Sequence, residues 1–162
     1  MSDKPQVAVT LRPLREDDLP TMFDIQFDDE AQRQAAFVDG SGRDREAYYA
    51  KFRKILADDA IVKRAVEVGG EVVGSAAAYP SRGAMEVTYW IRRDWWGRGV
   101  ATAALAALVA EVPARPIYGG AVADNVGSLR VLERNGFVPV GREEGFAEAR
   151  QATVTELVYR LD

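Results

Sequence analysis

Cysteine and histidine are both absent from the 162-residue chain. Without cysteine there is no disulfide framework, no thiol nucleophile and no zinc–thiolate site. Without histidine there is no Ser–His–Asp triad and no imidazole ligand for a metal, and no metal site is expected. A general acid or base must then be Asp, Glu, Lys, Tyr, Ser or a relayed water. A block of basic residues is also missing. Lys and Arg total 21 against 25 Asp and Glu, a formal net charge of −4, which is the wrong balance for nonspecific phosphate neutralisation. Nucleic acid is therefore not an expected partner. Long apolar runs are lacking too. The longest, Val100 to Val112, is interrupted by Thr102 and Glu111 and is too short and Ala-rich to span a bilayer. The first six residues lack the apolar core of a signal peptide. The expectation is a soluble, cytoplasmic chain with no membrane partner.

What is present is an ordinary globular balance, 48% hydrophobic and 28% charged, which argues against disorder. The length fits a single domain over 1–162. Val7, Val9 and Leu11 alternate as a strand. Asp17 and Asp18 precede Leu19, Met22, Phe23 and Phe27 at helical spacing, with Pro20 tolerated in the first turn. Asp28 to Gly42 is mostly polar and ends in Gly40-Ser41-Gly42, a loop signal. Asp44 caps a second helix with Tyr48, Phe52, Ile55 and Leu56 as its stripe. Three β-rich runs follow, Ile61 to Val68, Val72 to Tyr79 and Met85 to Ile91, separated by Gly69-Gly70 and by Pro80-Ser81-Arg82-Gly83. Val100 to Val112 reads as a helix stopped by Pro113, Ile117 to Ala121 as a strand, and Asn125 as the start of a helix ending at Asn135-Gly136. Phe137 to Val140 and Thr153 to Leu161 complete the order β-α-α-β-β-β-α-β-α-β-β. That order implies an α+β fold, with helices on a mixed, mostly antiparallel twisted sheet. The strands at 85–91 and 117–121 are joined by a helical crossover and can run parallel.

Two segments carry chemistry. In the first, a strand runs through Trp95-Trp96-Gly97-Arg98-Gly99 into the helix that begins at Val100. A glycine turn at a helix N-terminus aims several N–H groups at one spot, which suits a pyrophosphate. It is not a P-loop, because no Gly-Lys-Ser/Thr occurs. It is not the dinucleotide fingerprint, because Thr102 stands where the third glycine belongs. In the second segment, Asn125 and Ser128 share a face at a helix start. Alone, they read as an N-cap and a first-turn residue.

Together the segments resemble the two cofactor motifs of the GNAT N-acetyltransferase superfamily. Trp96-Gly97-Arg98-Gly99-Val100-Ala101 resembles its pyrophosphate motif, Q/R-x-x-G-x-G/A. Asn125-x-x-Ser128 through Arg134-x-Gly136-Phe137 resembles its second motif, N-x-x-S/A…K-x-G-F. Tyr89-Trp90, Trp96-Gly97-Arg98-Gly99 and Ser128 are similar to the ribosomal-protein N-terminal acetyltransferase (RimJ/RimL-like) branch. Trp96 departs from the usual Gln/Arg. Leu132 stands where many relatives carry a tyrosine acid, which leaves Ser128 as the candidate donor to the leaving thiolate. The resemblance implies a GNAT fold and an acetyl-CoA-dependent transfer to a primary amine, of a small molecule or of a peptide or protein N-terminus. It implies a CoA site built from Arg98, Gly99, Val100, Ala101, Thr102, Asn125 and Ser128. A backbone N–H among Val87, Thr88 and Tyr89 would meet the thioester oxygen, and Glu86 would act as base, directly or through water. Arg92, Arg93 and Arg98 are candidate phosphate partners, and Tyr48 and Tyr49 candidate acceptor-site residues, with Phe52 read as core. The same resemblance fits a monomer or homodimer. It also leaves open a non-catalytic acyl-CoA-binding or sensor domain.

Overall fold

The computed structural model describes residues 7–37 and 44–162; the Gly40-Ser41-Gly42 loop lies outside them. Strands β1 (Thr10–Pro13), β2 (Val62–Val68), β3 (Glu71–Ser81), β4 (Ala84–Ile91), β5 (Ile117–Val122), β6 (Val138–Ala147) and β7 (Ala152–Leu161) form one sheet in the order β1-β2-β3-β4-β5-β7-β6. Helices are α1 (Leu19–Gln26), α2 (Asp29–Ala35), α3 (Arg45–Ala57), α4 (Val100–Glu111) and α5 (Val126–Arg134). Every strand pair is antiparallel except β4 and β5, which are parallel, as the crossover through α4 requires. The α+β class holds, and the order differs from the expected one by one helix, α2, between β1 and β2.

Period-two patterning sorts the sheet into two cores. On one face, Val66, Val73, Ala76, Ala78, Val87 and Ile91 pack under Leu105 and Leu108 of α4 and Leu132 of α5. On the other, Met22, Phe23 and Ile25 of α1 and Tyr48 of α3 cover Ala65, with Trp90 packed against them. Tyr48 and Tyr49 therefore belong to an aromatic cluster with Phe23, Phe27 and Phe52 (Phe23–Phe27 centroids 4.6 Å, Tyr48–Phe52 4.4 Å). They do not line the cleft described below, which corrects the acceptor-site expectation for them and confirms Phe52 as packing.

Three local differences from the sequence reading have physical reasons. The polar stretch after Asp28 contains α2. Asp28 caps it by accepting from the Ala31 amide at 3.0 Å, Asp29 and Glu30 occupy its first turn, and Glu30 pairs with Arg33. Only Ala31 is buried there, so no apolar stripe announced it. Strand β3 continues through Pro80 and Ser81 because Arg82 and Gly83 alone make the turn, both at positive φ (55° and 72°), a two-residue hairpin. Strand β6 runs to Ala147 through Gly141-Arg142-Glu143-Glu144, a charged sequence without alternation. It is an edge strand, where one side of the ladder has no neighbouring strand and such residues are tolerated. No helix among the described residues is long and apolar enough to cross a membrane.

The N-terminal strand is fastened to α1 by charge. Arg12 donates to both Asp18 oxygens (2.7 and 2.8 Å) and to Glu67, and Asp18 also accepts from the Arg15 amide at 2.8 Å. Asp18 is the one buried charged residue among those described. Hydrogen bonding to Arg12 holds its carboxyl below the usual range, against the opposing effect of burial. A depressed carboxyl contributes stability that is present above its unfolded value, about 3.9, and is lost as pH falls through the folded value. Asp18→Asn is expected to cost about 3 kcal/mol at pH 7. Thermal melts should show the gap from wild type narrowing below about pH 4; a gap independent of pH would contradict this role.

Candidate active site

The site begins where β4 and β5 part. Their parallel pairing covers only Met85↔Ile117 and Glu86↔Tyr118. Beyond it, Leu132 of α5 and Val87 meet over Gly119, where an added Cβ would lie 2.7 Å from Leu132 Cδ2 and 3.2 Å from Val87 Cγ2. The hairpin at Arg82-Gly83 fixes which backbone groups face the gap. Ser81 and Ala84 close the turn, and alternation then directs the amides of even-numbered β4 residues to β3. The Arg92 amide, bonded to the Val73 carbonyl at 2.8 Å, continues that series. Odd-numbered amides face β5. Val87 flanks the last pair, so the Tyr89 amide is the first on this edge without a partner strand. The Ile91 carbonyl, further along, accepts from the Trp96 indole N–H at 2.6 Å. Of the three expected donors, the alternation favours Tyr89. Thr88 turns its amide to β3 and lines the cleft with its side chain.

One end of the gap opens on the N-terminus of α4. Gly97 and Gly99 take positive φ (73° and 79°), and Gly99 is the N-cap, with no side chain capping the helix. No acidic residue sits in the first turn. The amides of Val100, Ala101 and Thr102 are thus donors that the helix itself leaves unused, and nothing lies within 4 Å of a Cβ built on Gly97 or Gly99. This is a concave, positive cradle that fits an anion. Gly97, Gly99, Val100, Ala101 and Thr102 line the cleft; Arg98 does not, because its guanidinium stacks over Trp95 at 4.8 Å. Arg92 pairs with Glu71 and Asp94, and Arg93 with Asp28. None of these three side chains joins the cradle.

The second segment is placed as the spacing suggested, with its polar atoms already engaged. Asn125 Oδ1 accepts from the Ser128 amide at 3.3 Å, and Asn125 Nδ2 donates to the Gln34 carbonyl of α2 at 3.2 Å. Asn125 therefore caps α5 and ties it to α2. Ser128 Oγ lies 2.8 Å from Tyr89 Oη. Leu132 is fully buried in the core, so position 132 supplies no hydroxyl.

The opposite side of the gap is acidic. Glu86, Tyr79, Glu156, Glu143 and Arg82 line the cleft with Phe37 and Gln34. Glu143 is held by Arg82 in a two-bond pair (2.8 and 3.0 Å). Glu156 has an oxygen close over Gly120, and its carboxyl is pushed up, first by burial and then by the charges of Glu86 and Glu143. The Tyr79 phenol is pushed up to about 12 by burial, then by the charge of Glu86. Sequence reasoning missed Glu156, although a signal existed: it is the carboxylate in the period-two set Val154, Glu156, Val158. The whole cleft has a volume of about 890 Å³.

Residues 8–138 match the family model described as "Acetyltransferase (GNAT) domain". The chain belongs to this family. Among solved structures it is similar to Mycobacterium smegmatis RimJ in complex with CoA-disulfide (24% identity, 94% of this chain and 81% of that one, TM-score 0.77). It is similar to an N-acetyltransferase from Staphylococcus aureus Mu50 (19%, 96% and 98%, TM-score 0.81) and to a ribosomal-protein-alanine N-acetyltransferase from Brucella melitensis (21%, 94% and 98%, TM-score 0.79). At these identities the likeness shows the fold. No curated protein matches the chain significantly in sequence.

Glu156 offers a check on the electrostatics of the acidic side. A carboxyl whose folded value is raised destabilises the protein as pH climbs through its unfolded value, and the penalty is complete above the folded value. Glu156→Gln is expected to raise Tm at pH 7 and to leave it near wild type at pH 4. An unchanged Tm at pH 7 would show that Glu156 is better solvated than its surroundings imply.

Proposed function

We propose that the protein transfers the acetyl group of acetyl-CoA to a primary amine, carried by a small molecule or by a peptide N-terminus. The observation that carries this reading is the gap between β4 and β5, which joins an uncapped helix N-terminus on one side to a carboxylate-lined pocket on the other. Tyr89-Trp90, the Trp96-Gly97-Arg98-Gly99 loop and Ser128 support placement beside the RimJ/RimL-like enzymes.

Acetyl-CoA supplies an acyl thioester, and the residues present fit it. The amides of Val100, Ala101 and Thr102 would hold its pyrophosphate, and the remaining Asn125 amide hydrogen would be a further donor. The Tyr89 amide would donate to the thioester oxygen as negative charge develops there. Glu86, which lines the cleft, would take a proton from the ammonium, directly or through water, and leave a neutral amine to attack. As the C–N bond forms and the C–S bond breaks, the second nitrogen proton would pass to solvent, and the Ser128 hydroxyl would donate a hydrogen bond to the departing sulfur. Holding both reactants in one cleft supplies much of the remaining acceleration.

Mass spectrometry of amine and peptide panels incubated with acetyl-CoA tests the activity. CoA binding without an acetylated product would instead indicate a non-catalytic acyl-CoA-binding domain. Gly99→Val places a side chain at the mouth of the cradle and a β-branched residue at positive φ. Calorimetry on the folded variant should show weakened CoA binding, and unchanged affinity would refute the placement. Ser128→Ala should lower kcat by about tenfold to a hundredfold, whereas an unchanged kcat under chemistry-limited conditions would leave Ser128 a first-turn residue. Glu86→Gln should lower kcat/KM most near neutral pH, where an alkyl amine is mostly protonated, with the gap closing as pH rises and free amine forms unaided. Coincident pH–rate profiles would remove Glu86 from the mechanism.

A further inference from the structure

The Tyr89 side chain reaches from β4 across to α5, where its hydroxyl meets Ser128: its Oη lies 2.8 Å from Ser128 Oγ and 3.2 Å from the Ser128 carbonyl oxygen. A phenol has one proton, so two arrangements share this geometry. In one, Tyr89 donates to the carbonyl and the Ser128 hydroxyl donates to Tyr89 Oη. The serine proton is then spent within the protein, and nothing is left to offer a sulfur atom. In the other, Tyr89 donates to Ser128 Oγ, and the serine proton is free to point into the cleft, which both residues line. The 2.8 Å contact between the two hydroxyls is common to both arrangements, with either oxygen as donor.

We infer that Tyr89 is a positioning residue that donates its phenolic hydrogen to Ser128 Oγ and so turns the Ser128 proton toward the leaving sulfur. The inference rests on the role proposed above for Ser128. Negative charge developing on sulfur selects the second arrangement, because only that one presents a donor. Each hydrogen bond in the chain from Tyr89 to Ser128 to sulfur then polarises the next. No proton leaves the phenol. Burial pushes its ionisation up to about 12, with the Ser128 bond opposing, so Tyr89 stays protonated and the thiolate takes its proton from solvent. The same residue thereby acts at two atoms of the thioester, its amide toward the oxygen and its hydroxyl, through Ser128, toward the sulfur.

The test is a double-mutant cycle on the full chain, with acetyl-CoA and an identified acceptor. Tyr89→Phe keeps the ring in the core, so Tm should stay near wild type. It is expected to lower kcat by about threefold to tenfold, the effect of one hydrogen bond. KM for acetyl-CoA should be unchanged, and the loss should be uniform between pH 6 and 10. In the Ser128→Ala background, Tyr89→Phe should have no further effect. If Ser128→Ala is impaired but Tyr89→Phe is as active as wild type, or lowers kcat equally in both backgrounds, the inference falls while the Ser128 assignment stands. A shift of the alkaline limb in Tyr89→Phe would make Tyr89 an acid and also overturn it. A fully active Ser128→Ala sinks the Ser128 assignment itself and the inference with it.

Discussion

Two parallel strands that part after two residue pairs leave backbone donors and acceptors with no partner strand, and buried or half-buried peptide groups demand partners. The divergence of β4 from β5 is the constraint around which the rest is arranged. The hairpin at Arg82-Gly83 sets its phase, so the Tyr89 amide and the Ile91 carbonyl point into the gap. Trp96 takes the Ile91 carbonyl. The wedge of Leu132 and Val87 over Gly119 lies where the pairing stops. A second set of unused donors, at the start of α4, opens on the same gap. A ligand with a polar, strand-like middle and an anionic end matches both sets.

The gap also separates two kinds of chemistry. Because alternate residues face opposite sides of a sheet, Glu86 falls on the face of α1 and α3, while Tyr89 turns to α5. In the proposed reaction, proton removal from the amine and support of the departing sulfur would fall on opposite sides of the thioester. Neither side uses histidine or cysteine. The acidic side carries Glu156 at an electrostatic cost. The α5 side uses neutral hydroxyls, which keep the same hydrogen-bonding capacity over a wide pH range.

Much of this was legible in the sequence where chain-local rules decide. The β3–β4 hairpin, the parallel β4–α4–β5 crossover, the caps at Asp44 and Asn125 and the glycine turn before α4 all follow from spacing and turn chemistry. What escaped depended on tertiary partners. Helix α2 is stabilised by a cap and charges rather than by a stripe, so periodicity could not show it. Strand β6 is an edge whose polar residues read as loop. The Asn125 amide bonds to α2, the Tyr89 hydroxyl to α5 and the Arg98 guanidinium to Trp95. The first two assignments need to know which element lies across the gap; the third joins residues three apart in one loop. Glu156 is the exception, a carboxylate among valines that alternation alone singles out.

The seat of Leu132 has a consequence for how such a site changes over generations. Leu132 is fully buried, packed so closely over Gly119 that a single added carbon there would collide with it. A tyrosine at 132 would bring a ring and a hydroxyl into that space, where overpacking costs about 1–3 kcal/mol. The residues around Gly119 and Val87 would have to yield before the new hydroxyl reached the gap. A tyrosine at 132 would therefore be accommodated only with compensating changes around it. The Tyr89–Ser128 pair needs no change at 132.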